Sequence, residues 1–329
     1  MRIIIYGVGA IGGTVAAALA LSGQQVIGIA RGDQLAAIKE GGLLLRTPEK
    51  TARAHFPCVA DPDEIEFRCD DMILLTMKTQ DTLGALERLR AAGAVEQPLF
   101  CVQNGVTNER MTLRRFREVH GVTVMMPASI SAPGEVSAFS VPRHGVFDIG
   151  RYPGGRNEDD DRLAQALEAA NIAAFVTPDV MQSKYGKLLL NLGNIVDAAF
   201  GLNGDLKPFN ALLRAEAEAV YTAAGIAWRD VGSADPRRDQ LVRFQPIEGV
   251  ERSGSSTAQS LARGAGSIET DYLNGEIVLL GRHHGIPTPA NTYFVELSVR
   301  MLRGRLKPGA ISVAQVETEL RACGVVLRD

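Results

Sequence analysis

A glycine-rich loop near the start of the chain limits the possible folds more than any other feature of the sequence. The chain begins MRIIIYGVGAIGGTVAAALALSGQQVIGIARGDQ, and the glycines follow a short β-branched run at residues 3–6. Such a run, without a polar face, is typical of a strand covered on both sides. The helix-prone segment TVAAALALSGQ and a second apolar run, QQVIGIA, come next. The sequence therefore predicts a βαβ unit with a glycine turn between strand and helix.

The same alternation continues along the first half of the chain. Further apolar runs, DDMILLTMK at 71–78 and PLFCVQNG at 98–105, are separated by the helical pattern TLGALERLRAAG. This alternation predicts a parallel, doubly wound sheet of Rossmann type, which we expect to finish with antiparallel strands between 121 and 150. Beyond about residue 180 the patterns are helical. We therefore expect an α/β NADP-binding domain over 1–178 and an all-α substrate and dimerisation domain over 179–329.

Composition excludes several classes of protein. With 329 residues, 46% apolar and 22% charged, and a net charge of −3, the chain has the balance of a globular protein and not of a nucleic-acid binder or a polybasic membrane protein. The four cysteines form no CxxC pair and no HxxxH spacing occurs, so we expect neither disulfides nor a metal site. No apolar run is long enough for a membrane helix, and the glycine loop leaves no room for a signal peptide. We expect a cytoplasmic protein.

The glycine loop matches the dinucleotide-binding pattern GxGxxG. In that pattern the first glycine makes the turn, the second lets the pyrophosphate approach the backbone, and the third lets the helix pack against the strand. A tight turn with no ligand is the alternative, but the flanking strands and helix favour a cofactor site. The predicted cofactor contacts in the loop are Gly7, Val8, Gly9, Ala10, Ile11 and Gly12.

The end of the second strand indicates which dinucleotide is bound. An NAD site usually has an acidic residue there for the ribose 2′-hydroxyl. Here the strand ends with Arg31, and the first acid, Asp33, lies beyond it. A guanidinium is suited to a 2′-phosphate, which favours NADPH, although Arg31 could also be an ordinary surface residue.

Two later strands end in polar residues at the same edge, where open α/β sheets bind ligands. Lys78 directly follows MILLTM and is predicted to contact the cofactor, with a surface lysine as the alternative. Asn104, in Gln103-Asn104-Gly105, offers an amide to a ribose hydroxyl, a carboxylate or the nicotinamide carboxamide. Asn-Gly is also a frequent turn pair.

The helical segment KYGKLLLNLGNIVDA places polar residues among leucines. Lys184, Lys187, Asn191 and Asn194 recur at three- and four-residue steps, which predicts that they share one helix face. Lys187 and Asn191 are predicted to bind a ligand because polar groups in so apolar a segment need partners. An exposed helix side is the alternative for Lys184. Further along, a carboxylate of Glu269-Thr270-Asp271 could face the site or bind a helix N-terminus.

In combination, these motifs resemble the ketopantoate reductase family, which reduces 2-dehydropantoate with NADPH in pantothenate synthesis. The resemblance follows the chain in order through GVGAIGG, Arg31, MKTQ, QNGV, KLLLN, SGSSTAQ, ETDYLNG and HHGIPTPANT. It implies that Lys187 is the catalytic lysine and that Glu269 helps to bind the cofactor and organise the site. Asn104 resembles the asparagine that touches both cofactor and substrate, Asn191 and Ser256 resemble substrate ligands, and the chain near Ala128 resembles a backbone contact to nicotinamide.

The sequence departs from the family pattern close to the expected substrate. Many members have a second asparagine four residues after the first, but here that position is Ile195. Asn194 lies one position early, a rotation of about 100° on a helix, and Asn203 requires a gap in the comparison. The serine that contacts substrate could also be Ser255, with Thr257 as a third choice. The MMPASISAPG segment around Ala128 also differs from the family's usual one.

The resulting hypothesis is an enzyme that transfers a hydride from NADPH to C2 of a 2-oxo acid, with Lys187 protonating the oxygen. Ketopantoate is the expected substrate. Another bulky 2-oxo acid and a non-catalytic NADPH-binding regulator remain alternatives. The resemblance also implies a homodimer, and neither a nucleic acid nor a membrane is expected as a partner.

Overall fold

The structure, a computed structural model, describes residues 1–201, 205–251 and 254–325. Contacts between residues divide the chain into two compact units. The first unit comprises Met1–Lys184 and Asp230–Arg252, and the second comprises Tyr185–Arg229 and Ser253–Asp329. The domain ranges 1–178 and 179–329 stay predictions, while the contacts assign residues 230–252 to the first unit.

The first unit contains the described strands, which form three sheets. In chain order they are β1 (Arg2–Tyr6), β2 (Gln25–Ile29), β3 (Leu43–Arg46), β4 (Thr51–Ala54), β5 (Cys58–Val59), β6 (Asp71–Leu75), β7 (Leu99–Cys101), β8 (Val119–Met125), β9 (Ala128–Ala132), β10 (Glu135–Ala138), β11 (Ser140–Pro142), β12 (Val146–Arg151), β13 (Ala173–Val176) and β14 (Val242–Phe244).

The helices lie in both units. They are α1 (Ala10–Leu21), α2 (Gly32–Gly41), α3 (Thr79–Ala91), α4 (Asn108–Leu113), α5 (Glu158–Ala169), α6 (Val180–Asn191), α7 (Asn194–Phe200), α8 (Lys207–Ala224), α9 (Pro236–Leu241), α10 (Ser256–Ala262), α11 (Asn274–His284), α12 (Pro289–Arg303) and α13 (Val313–Ala322). None of these described helices has both the length and the apolar character needed to cross a membrane.

The main sheet has eight strands in the order β13-β12-β8-β7-β6-β1-β2-β5. Neighbouring strands are parallel from β5 to β8. Next to β8, β12 runs antiparallel, and β13 forms the edge of the sheet parallel to β12. The predicted doubly wound sheet with antiparallel strands at its end is thereby confirmed. The carboxyl ends of β1, β2, β6 and β7 meet at one edge, which we call the carboxyl edge.

Both faces of this sheet are covered. On β1, Ile3 and Ile5 belong to one apolar cluster, together with residues of α1 and α5. Ile4 and Tyr6 belong to the cluster on the other face, with Leu86 and Leu89 of α3. Full burial of an isoleucine contributes about 1.5–3 kcal/mol, so the apolar run after Met1 anchors the glycine loop that follows.

Two smaller sheets complete the first unit, with strand orders β4-β3-β10-β9 and β11-β14. The second is a correction to the sequence analysis, which expected no strand beyond about residue 180. Val242–Phe244 pairs antiparallel with Ser140–Pro142. A three-residue strand has too short a pattern to be recognised without its distant partner.

The second unit consists of helices, as predicted. Helices α8, α11 and α12 pack on one another, and the rings of Phe200, Phe209 and Phe294 form a contiguous buried group. The expected single helix over KYGKLLLNLGNIVDA is wrong, because α6 ends at Asn191 and α7 begins at Asn194. A Cβ at Gly193, within the break, would lie 2.6 Å from Asn210 Oδ1 of α8.

Candidate active site

The glycine loop lies at the carboxyl edge, between β1 and α1. Gly7 has a φ of +104°, and a Cβ there would lie 2.8 Å from the Met77 nitrogen. A Cβ at Gly12 would collide with the Gly7 carbonyl oxygen and with Thr76 Oγ1. At Gly9 it would meet only the Gly7 oxygen, at 3.9 Å. The outer glycines are therefore required by close backbone approach, while the middle one leaves open space.

The open space beside Gly9 lies at the start of α1, where a phosphate would fit. Gly9 is the N-cap of α1 and supplies no side-chain hydrogen bond to the first turn. The N–H groups at a helix start point outward and favour an anion. Val8 is buried, and Ala10 and Ile11 are half-buried. The loop therefore retains the geometry that a dinucleotide pyrophosphate needs.

Gln34 holds this loop in place, and the sequence analysis missed it. From α2, its Nε2 donates to the Val8 carbonyl oxygen at 3.1 Å. Its Oε1 accepts from the Gly134 N–H at 2.9 Å, in the turn between β9 and β10. One amide thus joins two segments that are far apart in sequence, a role that no local pattern reveals.

Arg31 lies at the end of β2, immediately before α2. Its side chain is 68% exposed, and Nη2 is 3.9 Å from Asp81 Oδ1. Such a long, exposed ion pair contributes little to stability. The guanidinium therefore remains accessible at the carboxyl edge.

Lys78 and Asn104 follow neighbouring strands, and hydrogen bonds join their two turns. Gln103 Nε2 donates to the Met77 carbonyl oxygen at 2.9 Å and to Thr82 Oγ1 at 2.7 Å. The Asn104 carbonyl oxygen accepts from Asn108 Nδ2 at 3.0 Å. The structure thus brings these two predicted residues to one rigid part of the carboxyl edge.

The remaining predicted contact in the first unit is near Ala128. This residue begins β9, is half-buried and pairs with Ala138 of β10.

Lys184 does not lie on an exposed helix side, which was the alternative for this residue in the sequence. Its side chain is 2% exposed, and its Nζ contacts Glu109 Oε1 and the carbonyl oxygens of Cys101 and Gln103. The surface reading failed because the acidic partner lies 75 residues earlier in the chain.

In the second unit, α6 carries Lys187 and Asn191 one helical turn apart. Lys187 is half-buried. Asn191 is 6% exposed, and its Oδ1 has no hydrogen-bond partner among the described residues. A buried amide oxygen without a partner is costly, and a ligand would supply the missing donor. Asn194 lies beyond the helix break, so it does not continue the helical face of α6.

The structure separates the three candidates in SGSSTAQ. Ser255 is the N-cap of α10, since its Oγ accepts from the Ala258 N–H at 3.3 Å. The same hydroxyl donates to the Asn194 carbonyl oxygen at 2.8 Å. Thr257 is 2% exposed, whereas Ser256 is half-buried. Ser255 therefore has a structural task, and Asn203 lies outside the described residues.

Glu269 begins a 3-10 turn, Glu269–Tyr272, and is 5% exposed. Nearby in sequence, Asn274 Nδ2 donates to the Leu192 carbonyl oxygen and to Asn291 Oδ1. Asn291 in turn donates to Glu216 Oε2 at 2.8 Å. Burial raises the pKa of Glu216, although hydrogen bonds from Ala290 and Asn291 oppose that shift. No local sequence pattern indicates this buried network, because its members come from three helices.

Across the described ranges, no group of three or more His, Cys, Asp and Glu side chains is arranged to hold a metal ion.

The chain is similar to known proteins over most of its length. The family model for ketopantoate reductase PanE/ApbA matches residues 3–154, and its C-terminal model matches residues 179–301. A 2-dehydropantoate 2-reductase of Pyrococcus horikoshii is 28% identical over 297 residues, which cover 88% of this chain and 94% of that protein.

Solved structures show the same fold. A PanE/ApbA family ketopantoate reductase from Ralstonia eutropha JMP134 has a TM-score of 0.76 and 29% identity, and covers 93% of this chain and 99% of that one. A ternary structure of D-mandelate dehydrogenase with NADH and anilino(oxo)acetate has a TM-score of 0.77 and 24% identity, with the same coverage.

Proposed function

Since the chain belongs to the ketopantoate reductase family, we propose that it reduces 2-dehydropantoate to pantoate with NADPH. The observation that carries the proposal is Asn191, one turn from Lys187, whose buried Oδ1 has no hydrogen-bond partner in the described part of the chain. A lysine beside an amide that needs a ligand is suited to a substrate with a carbonyl and several oxygens. Relatives named 2-dehydropantoate 2-reductase support this choice of substrate.

The cofactor site belongs to the first unit. The N–H groups at the start of α1 would hold the pyrophosphate, and Arg31 would hold the 2′-phosphate that distinguishes NADPH from NADH. Lys78 and Asn104 would contact the ribose and nicotinamide, with the backbone near Ala128. When bound, the reduced nicotinamide supplies the hydride that is added to C2 of the 2-oxo acid.

The residues of the second unit would handle the substrate and the proton. Lys187, as an ammonium, would donate a proton to the C2 oxygen as negative charge develops there. Asn191 and Ser256 would bind the carboxylate and hydroxyl groups, together with Asn104. Many family members have a second asparagine at the position of Ile195, and Asn194 and Asn203 are the candidates to replace its amide here. Glu269 would orient the lysine and the cofactor.

The direct test is the loss of absorbance at 340 nm with each of several 2-oxo acids, using NADPH and NADH in parallel. We expect turnover with ketopantoate and a preference for NADPH. Phenylglyoxylate belongs in the panel because D-mandelate dehydrogenase shares the fold. Turnover of that acid with ketopantoate inert would overturn the substrate proposal, and NADPH binding without any turnover would indicate a regulator.

A place in pantothenate synthesis is a further part of the proposal. It is supported when the gene restores growth without pantothenate to a host that lacks its own ketopantoate reductase. Growth that still requires pantothenate, despite expression of active enzyme, would contradict it.

A further inference from the structure

The buried lysine of α6 has a satisfied set of partners within the first unit. An ammonium carries three donors. Lys184 Nζ uses them on Glu109 Oε1, on the Gln103 carbonyl oxygen at 3.0 Å and on the Cys101 carbonyl oxygen at 3.4 Å. The side chains of Lys184 and Glu109 are 2% and 0% exposed. Screening by solvent is therefore small for this pair.

Two of these three acceptors belong to the backbone that leads into Asn104. Cys101 is the last residue of β7, and Gln103 immediately precedes Asn104. Gln103 is held in two ways. Its side chain forms hydrogen bonds with Met77 and Thr82, and its backbone carbonyl oxygen accepts a hydrogen bond from Lys184. The ammonium therefore fixes the chain direction just where Asn104 projects.

A contribution to folding stability does not by itself explain the buried Lys184–Glu109 pair. When two charges are buried, the free energy lost by removing them from water offsets much of their mutual attraction. Apolar residues of similar size therefore often give the same stability. Glu109 Oε2 and Gln103 Oε1 are also buried without partners among the described residues. This polar cluster therefore contributes less to stability than apolar packing would, but its hydrogen bonds hold the Gln103–Asn104 turn in place.

We propose that Lys184 is a positioning residue, which sets the Gln103–Asn104 turn through its bonds to the two carbonyl oxygens. The inference rests on the proposed function in one respect, namely that Asn104 contacts the dinucleotide. Lys184 itself touches neither cofactor nor substrate in this role. Its effect on binding is transmitted through the backbone of the turn.

The first unit contains a matched control at the opposite edge of the same sheet. Arg2, at the start of β1, forms two hydrogen bonds of 2.7 Å with Asp71, at the start of β6. Asp71 is fully buried. This pair matches Lys184–Glu109 in charge and in its fully buried carboxylate, with the Arg2 side chain 15% exposed, and it adjoins none of the predicted ligand contacts.

The experiment compares Lys184→Met/Glu109→Gln with Arg2→Met/Asp71→Asn in the full chain. Both double variants remove a buried ion pair without leaving a lone charge. Amide hydrogen exchange of residues 102–106 and the Kd for NADPH, from its fluorescence, are measured for each. We expect Lys184→Met/Glu109→Gln to raise the exchange rate at 102–106 and the Kd for NADPH by about tenfold or more, as for the loss of a charged hydrogen bond. Arg2→Met/Asp71→Asn should change neither the exchange rate nor the Kd.

Equal exchange at 102–106 in both variants, with an unchanged Kd, would overturn the proposal and leave Lys184 with a stabilising role only. The exchange measurement needs no ligand, so it decides the positioning role even if the chain reduces no 2-oxo acid. If the first variant does not fold, Lys184→Gln/Glu109→Gln serves instead, because it also leaves no lone charge and keeps polar side chains at both positions. The same rise in the exchange rate at 102–106 is expected, since the ammonium that holds the two carbonyl oxygens is removed, and unchanged exchange there would contradict the proposal.

Discussion

Two lysines on α6 show how the surroundings of a residue decide its chemistry. Lys184 is enclosed by an acidic side chain and two carbonyl oxygens, so all three donors of its Nζ are used within the fold. Lys187, three positions later, is half-buried and lies one turn from the amide oxygen of Asn191, which has no partner among the residues described by the structure. A general acid must reach its substrate, so of these two lysines the half-buried Lys187 is the one that we propose as the acid.

Replacing Lys187 by alanine tests this assignment at the scale of one residue. We expect Lys187→Ala to lower kcat by about 10²–10⁴-fold, the usual contribution of a positioned general acid. The Kd for NADPH should stay nearly constant, because the cofactor contacts that we propose lie on other residues. Steady-state rates at 340 nm and a fluorescence titration with NADPH measure the two quantities.

Lys207 provides the matched control, since it is an exposed lysine of the second unit at the start of α8. Lys207→Ala should leave kcat as it is. A kcat for Lys187→Ala within a factor of a few of the wild type would rule out the assigned role.

At the scale of an element, the start of α1 depends on how closely it approaches β1 and the turn after β6. A side chain at Gly12 would meet the Gly7 carbonyl oxygen and Thr76 Oγ1. That threonine hydroxyl already donates to the carbonyl oxygens of Tyr6 and Gly7. The third glycine therefore sets both the packing of α1 and the shape of the phosphate loop.

Two helical glycines respond in opposite directions to the same substitution. We expect Gly12→Ala to destabilise the protein by about 1–3 kcal/mol, as overpacking does, and to weaken NADPH binding. Gly84, on α3, has no heavy atom within 4 Å of a Cβ position. Gly84→Ala should therefore stabilise by about 0.5–1 kcal/mol. Urea unfolding measures both, and a common sign would contradict the packing argument.

The sequence predicts the elements better than their interruptions and side-chain partners. The βαβ unit follows from apolar runs and glycines that are close together in the chain. The helix break before Asn194 does not follow from such local features, because Gly193 is constrained by Asn210 on another helix. In the same way, the role of Gln34 in holding the glycine loop depends on Val8 and Gly134. Local periodicity contains no information on such contacts.

At the scale of the whole molecule, the first unit is made from two separate stretches of chain. Residues 230–252 belong to it although they follow part of the second unit in sequence. Arg237 of α9 donates to Asp148 of β12 at 2.7 Å, and its guanidinium lies 4.6 Å from the ring centre of Phe175. A charged residue in a polar stretch reads as surface, so the sequence did not predict this attachment.

Removing this attachment should weaken the whole first unit. Asp148 is 3% exposed and Arg237 is 25% exposed, so solvent screens the pair only in part. We expect Arg237→Met to lower the free energy of unfolding by about 2–4 kcal/mol, somewhat below the loss for a fully buried pair. Urea unfolding followed by far-ultraviolet circular dichroism measures it.

The double variant Arg237→Met/Asp148→Asn distinguishes an electrostatic cause from a loss of packing. Because it removes the buried charge as well, it should recover at least half of the lost stability. Arg238→Met, at the exposed neighbouring position of α9, should have almost no effect. Equal losses for Arg237→Met and Arg238→Met would mean that residues 230–252 are held by the pairing of β14 with β11 and not by the buried carboxylate.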